Sequence, residues 1–264
     1  MDAIVTAGGV PQPGEGLYEF TRGECKAYLD ILGKPMVQWV LDALNEASRV
    51  ERVVIVGLPD GSMVSSPKLA AMIPSQGDLF DNVRAGVRKM IEIDPTPRHV
   101  LSVSSDIPAI TGEMVDWLVA AAMQSDEDIY YNVITRQVME SRFPASKRSY
   151  TRLKDVEVCG GDLNVIRTLT VTANDELWRR IVAARKNVFK QAALIGYDTL
   201  ILLLLRLVTL EQAVRIVTRR MNITGRAIVC PYAEIGMDID KPFQLEIVRA
   251  DLARRMAGRG PLAE

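Results

Sequence analysis

The stretch Ala3-Ile4-Val5-Thr6-Ala7-Gly8-Gly9 decides how this chain is read: a short apolar strand runs directly into two glycines. Glycines at a strand end leave bare backbone N–H groups with no Cβ in the way, which is what close approach of a phosphate requires. Further on come Lys26 and then Gly33-Lys34-Pro35-Met36. A lysine downstream of such a turn adds a mobile positive charge. Lys26 precedes the apolar Ala27, Tyr28 and Leu29, so it is expected to point back toward the glycines, whereas Lys34 sits in a turn.

Outward from this opening, strand and helix alternate. Apolar residues of 36–47, among them Met36, Val40, Leu41 and Leu44, fall at helical spacing, and 52–56 is an apolar strand closed by Gly57. A helix is expected over 79–93, a strand over 99–103, and a helix from Gly112 to about Met123 with Thr111 as its N-cap. Such alternation predicts parallel strands joined by crossover helices, an α/β domain whose ligands gather at the carboxyl ends of strands.

Beyond Asp128 the pattern changes. A strand is expected over 129–134 and a loop over 143–150, and 156–166 contains Gly160-Gly161-Asp162-Leu163-Asn164. Two helical stretches follow, 176–191 and 198–217, rich enough in leucine, isoleucine and valine to pack on each other. A strand over 226–230, a loop through Asp238-Ile239-Asp240-Lys241-Pro242 and a helix from Phe243 to about Met256 complete the reading.

Composition narrows the function classes. The chain has 264 residues, 48% hydrophobic and 25% charged, which suits one α/β domain with an elaboration. A formal net charge of −1 gives no general case for nucleic acid or a membrane surface as partner. Three scattered cysteines without a CxxC pair point to reduced thiols and a cytoplasmic setting. No basic segment followed by a long apolar run opens the chain, so no secretory signal is expected. The apolar run 200–208 contains Arg206 and falls far short of the roughly twenty residues a membrane span needs.

Several residues are candidates for chemistry. Asp106 follows an apolar strand, and Pro108 stops that strand from continuing. A magnesium ion on a triphosphate takes one or two protein carboxylates and leaves its other positions to water and phosphate, a role Asp106 suits. Asp238 and Asp240 are one residue apart, so in an extended segment they face the same way and repel unless a cation sits between them. Gln76, Gly77 and Asn82, before and at the start of a helix, offer amide groups to a base or ribose. Lys147 and Arg148 beside Tyr150, with Asn164 beyond the second glycine pair, would serve an anionic acceptor. His99, the only histidine, opens a strand and is read as structural.

The ordered set of Ala7-Gly8-Gly9, Lys26, Gly33-Lys34-Pro35-Met36, Gln76-Gly77 with Asn82, Ser105-Asp106-Ile107-Pro108 and Asp238 to Pro242 resembles the nucleotidyltransferases related to molybdenum cofactor guanylyltransferase. The resemblance spans Met1 to about Met256. It implies a single Rossmann-like, glycosyltransferase-A-like domain over 1–264 with a mainly parallel central sheet flanked by helices. Residues 1–128 would be the nucleotide-binding half and 129–264 the acceptor-binding half, with a two-helix elaboration over 176–217. It also implies a nucleoside triphosphate and Mg2+ as ligands. The backbone of Ala7, Gly8 and Gly9 would cradle the phosphates, with Ser105 nearby. Lys26 would neutralise the α-phosphate, Asp106 would hold magnesium, and Asp238 or Asp240 would be the second metal ligand. A phosphorylated or otherwise anionic small molecule would attack the α-phosphate and release pyrophosphate.

Two features depart from that pattern. The family's arginine after the glycines is missing; the loop from Val10 to Leu17 has no basic residue before Arg22 and carries Glu15, with Glu19 beyond it. Either Arg22 takes the arginine's place or triphosphate binding is weakened. The helices over 176–217 exceed a minimal enzyme of this group and would build an acceptor pocket or a homodimer contact. Other classes compete less well. A dinucleotide-binding dehydrogenase requires GxGxxG, absent after Val5, and a nucleotide-sugar glycosyltransferase is expected to show paired aspartates where Ser104-Ser105-Asp106 stands. A non-catalytic nucleotide-binding regulator is the rival that the acidic loop suggests.

Overall fold

Strands buried on both faces must be apolar at every position, not at alternate ones. Ala3, Ile4 and Val5 are fully buried in this way, as are Val53 to Val56. The computed structural model describes residues 1–59, 63–96, 99–173 and 196–258. Its strands are β1 (Asp2–Thr6), β2 (Asp30–Ile31), β3 (Lys34–Pro35), β4 (Val53–Val56), β5 (Leu69–Ile73), β6 (His99–Ser104), β7 (Ile129–Thr135), β8 (Thr151–Arg152), β9 (Glu157–Gly160), β10 (Leu163–Arg167) and β11 (Gly225–Cys230). Its α-helices are α1 (Tyr18–Thr21), α2 (Met36–Glu46), α3 (Leu79–Ile93), α4 (Gly112–Ala122), α5 (Arg136–Arg142), α6 (Thr168–Ala173), α7 (Tyr197–Leu204), α8 (Leu210–Met221) and α9 (Pro242–Met256).

Among the described residues nine strands form one sheet in the order β5-β4-β1-β6-β10-β7-β9-β8, with β11 on β7. Strands β5, β4, β1 and β6 are mutually parallel, and β11 is parallel to β7. β9 and β10 run against the rest. The sheet is therefore mostly parallel, as expected, and it draws strands from both halves of the chain. Alternate side chains feed two cores. Ile4, Val54, Val56 and Val100 meet Val83, Val87 and Met90 of α3. Val5, Val53, Ile55 and Leu101 share the other core with α2, α4 and α9.

The expected helices in 36–47 and 79–93 and the one beginning at Gly112 are present, and the Thr111 side chain accepts the Met114 N–H as an N-cap should. Edge strand β5 and the short helix α5 have no counterpart in the sequence reading. The helix expected over 176–191 lies outside the described residues. The stretch expected as one helix over 198–217 is two, α7 and α8. Arg206 adopts a left-handed conformation (φ 57°) that a helix cannot propagate, and Thr209 with Gln212 forms a capping box that starts α8 afresh. Val208, together with Leu202 and Leu203 of α7 and Leu210 of α8, packs against Val133 and Val158 of the sheet.

Candidate active site

Parallel neighbours end at the same edge of a sheet, and here the register makes them level. Thr6 stands opposite Val56 on one side and Ser104 on the other. The residues just past these ends, Gly8 and Gly9, Gly57, and Ser105 and Asp106, therefore converge. Two backbone bonds fix the turn: Ala7 N–H donates to Val56 O (2.8 Å), and Ser105 N–H donates to Thr6 O (3.1 Å). The Cys25 thiol donates to Ala7 O; burial pushes its pKa up, so it stays a thiol. A Cβ on Gly8 would lie 3.0 Å from Ser75 Oγ and 3.3 Å from Asn82 Nδ2, so this position has little room for a side chain.

The glycine loop also sets the lysine. Lys26 N–H donates to Gly9 O at 2.8 Å, at the start of a 3-10 turn over Lys26–Tyr28. From there its Nζ reaches two carboxylates, Asp106 Oδ2 at 2.7 Å and Asp240 Oδ1 at 2.6 Å. Burial opposes the lysine charge, but Asp106 and Asp240 outweigh it and raise the Lys26 pKa above its ordinary value. Asp106 is held in turn: Ser104 Oγ donates to its Oδ1 at 2.5 Å, and its backbone oxygen accepts the Ile239 N–H at 3.0 Å. That last bond pins the segment carrying Asp238 and Asp240 against the end of β6.

Asp106, Asp238 and Asp240 each place one carboxylate oxygen within 4.8 Å of the others. They open onto a cavity of about 360 Å³ that Gly8, Gly9 and Lys26 also line. Gly77, Asn82, Ser105 and Asn164 lie on its walls, so most of the sequence-predicted residues meet in one place. The rest do not. Ala7 is buried, its N–H and C=O spent on Val56 and Cys25. Gln76 donates its N–H to Asn82 Oδ1 and its side-chain amide to Pro74 O, outside the cavity lining. Arg22 is exposed in a left-handed conformation at the end of α1, away from the lining. Lys147 stands 5.5 Å over the Phe243 ring, while its neighbour Arg148 turns inward to pair with Asp238. Asn164 is partly committed: its Oδ1 accepts the Asn132 N–H, and its Nδ2 donates to Gly161 O.

One charged lining residue was not among the candidates read from the sequence. Asp162, at the bend between β9 and β10, has a buried Oδ2 with no hydrogen-bond partner. Burial and then repulsion from Asp106 push its pKa up to about 7. Its signal was the paired glycines before it, the same cue that marked the N-terminal turn. Four carboxylates thus line the cavity, and among the described lining residues Lys26 is the single cation. Such a site favours added positive charge.

The glycine turn thus lies beside Lys26 and the acidic cluster at the carboxyl edge of the mostly parallel sheet, and the chain's family is one of nucleotidyltransferases. The chain belongs to the MobA-like NTP transferase domain family, whose model matches residues 3–222. A solved structure titled as a hypothetical transferase from Thermus thermophilus is 32% identical, covering 92% of this chain and 98% of that one, with a TM-score of 0.81. CMP:2-keto-3-deoxy-manno-octonic acid synthetase complexed with CTP shares the fold at 16% identity, 96% and 99% coverage and a TM-score of 0.57. So does 4-diphosphocytidyl-2C-methyl-D-erythritol synthase from Anaerococcus prevotii, at 12% identity, 96% coverage of each chain and a TM-score of 0.58. Among curated proteins no sequence match was found. Among the described residues no helix is long and apolar enough to cross a membrane.

Proposed function

We propose that this protein transfers a nucleoside monophosphate from a nucleoside triphosphate to a phosphorylated or otherwise anionic small molecule, with release of pyrophosphate and dependence on Mg2+. One observation carries the reading: Lys26, latched by its N–H to Gly9, grips Asp106 and Asp240 inside a single cavity. Nucleotidyl transfer needs in-line positioning and stabilisation of charge on the α-phosphate more than it needs a covalent catalyst. Gly8 and Gly9 would let the phosphates approach the backbone, and the Lys26 ammonium would face the oxygens that gain charge. An acceptor oxygen forms the new bond to the α-phosphorus as the bond to the pyrophosphate oxygen breaks.

Three hard oxygen donors in a cavity with excess negative charge fit a divalent cation. Asp106, Asp238 and Asp240 would hold Mg2+, which when bound supplies charge neutralisation and Lewis acidity for the triphosphate. On the acceptor side Arg148 and Asn164 are the candidate partners. Arg148 has a fork suited to a phosphate or carboxylate and is already oriented by Asp238. Three buried free thiols suit a reducing, cytoplasmic setting.

The test is a thermal-shift screen of the four nucleoside triphosphates with and without Mg2+, followed by a pyrophosphate-release assay over a panel of phosphorylated acceptors. One triphosphate is expected to stabilise the protein in an Mg2+-dependent way and to support release. Stabilisation by none of the four would overturn the reading. Binding without pyrophosphate release from any acceptor would favour a regulator.

A further inference from the structure

Three carboxylates held within 4.8 Å of one another repel unless cations lie between them, and here the protein supplies those cations itself. Lys26 takes Asp106 and Asp240, at 2.7 and 2.6 Å, and Arg148 takes Asp238. Each carboxylate that would hold Mg2+ is therefore already engaged. We propose that Arg148 is an interlock between the cation and the acceptor: its guanidinium stands in for the metal on Asp238 and, once a metal claims that carboxylate, turns to the acceptor's anionic group. This rests on the transferase reading above.

One of the two basic side chains has to yield to a metal, and their anchoring decides which. The carboxylates are fixed by their backbone: Ile239 N–H donates to Asp106 O at 3.0 Å, and Gln244 Oε1 accepts the N–H of Asp240 (2.9 Å) and of Lys241 (2.8 Å). Lys26 is tied by its own N–H to Gly9 O and by two carboxylates. Arg148 is held less. It stands on the loop between α5 and β8, and Asp238 is its one carboxylate partner among the described residues. Its Nη2 reaches Gly160 O only at 3.5 Å, the outer limit of a hydrogen bond, and its buried Nε has no hydrogen-bond partner among the described residues.

Burial sets what the released guanidinium requires. The side chains of Arg148 and Asp238 are 17% and 13% exposed, so a metal on Asp238 leaves a shielded positive charge without a counter-ion, which is costly. An anion repairs that. Ser146 Oγ and Tyr150 Oη, two residues to either side on the same loop, are likewise buried without a hydrogen-bond partner among the described residues. This loop thus carries three polar groups that the protein itself does not spend. A planar fork of donors on a loop with two hydroxyls suits a phosphate or carboxylate. Metal and acceptor anion then favour each other's binding, each by the same factor.

The experiment is Mn2+ titration of the whole protein, without nucleotide, followed by electron paramagnetic resonance. Arg148→Ala is expected to bind Mn2+ about fivefold tighter than the wild type, because no guanidinium competes for Asp238. Arg148→Gln, which keeps much of the stem and loses the charge, should do the same. In an Asp238→Asn background the loss of Arg148 should leave Mn2+ affinity unchanged. Unchanged or weaker Mn2+ binding in both Arg148 variants, or equal tightening with and without Asp238, overturns the interlock. Calorimetry with inorganic phosphate reads the acceptor side: Mg2+ should raise wild-type phosphate affinity about fivefold and leave that of Arg148→Ala unaffected. No rise in the wild type, or a rise that persists in Arg148→Ala, overturns the release of Arg148 to an anion. Those outcomes leave the transferase reading intact, whereas a wild-type protein that binds neither Mn2+ nor any triphosphate overturns both.

Discussion

A methyl group on Gly57 would lie 2.5 Å from the Gly8 nitrogen and 2.6 Å from its Cα, so the end of β4 presses directly on the glycine turn that follows β1. Gly57 also has φ 106°, in the region that disfavours side chains. Gly57→Ala is expected to cost about 2 kcal/mol or more, from backbone strain and the displaced turn together. Gly14→Ala separates the two effects, because Gly14 also has positive φ (93°) but no neighbour within 4 Å of an added Cβ. Chemical denaturation should show the larger loss at Gly57, with triphosphate affinity lost there and kept in Gly14→Ala. Equal effects on binding would mean that the close approach does not shape the glycine turn for a ligand.

Asp106 is the carboxylate that joins Lys26, Ser104 and the 238–240 segment. Asp106→Ala should lower Mg2+-dependent pyrophosphate release by at least about a hundredfold. Mn2+ binding, followed by electron paramagnetic resonance, should weaken in parallel. Retained Mn2+ affinity would remove Asp106 from the metal set.

Asp162 ties stability to pH. Its folded pKa, raised to about 7 by burial and Asp106, lies above the ordinary carboxylate range near 4. Between those values the folded protein keeps a proton that the unfolded chain has released, so stability falls as pH rises and levels off above about 7. The ligand-free protein should melt lower at pH 7.5 than at pH 5, and Asp162→Asn should reduce that difference. Parallel pH dependences in the two proteins would show that Asp162 ionises as freely as in the unfolded chain.

Helix α9 carries the 238–241 segment, and a buried ionic network anchors it. Asp251, fully buried, receives two bonds from Arg142 (2.7 and 2.8 Å) and pairs with Arg255, while Glu234 meets both arginines. Removing one member strands the others in a poor dielectric, so Asp251→Ala should cost about 3–5 kcal/mol in urea unfolding. The double variant Asp251→Ala with Arg142→Met should recover part of that loss, and additive losses would mean that the pair is not coupled.

Much of this molecule is local in origin and was legible. Val53 to Val56 had to be a buried strand because every position is apolar, and Thr111 announced the start of α4 by its cap. Edge strand β5 was missed because Leu69 to Ile73 reads Leu-Ala-Ala-Met-Ile, apolar throughout but with a single β-branched residue, so neither alternation nor strand propensity marks an edge strand. The break at Arg206 was missed because Leu200 to Leu205 and Leu207 to Leu210 read as one apolar run on either side of it.

The sequence by itself determined the alternation of strand and helix, the two glycines after β1 and the acid after β6, because each is written in neighbouring residues. Only the tertiary structure decided which charges meet. Lys26 lies 80 residues from Asp106 and 214 from Asp240, yet the level ends of β1 and β6 and the Ile239 to Asp106 bond bring all three together. The same long-range packing set Arg22 apart from the glycine turn and brought Asp162 to the cavity beside it. Side-chain type and spacing carry the local backbone preference. Electrostatic partnership across a sheet depends on register, which no single segment contains.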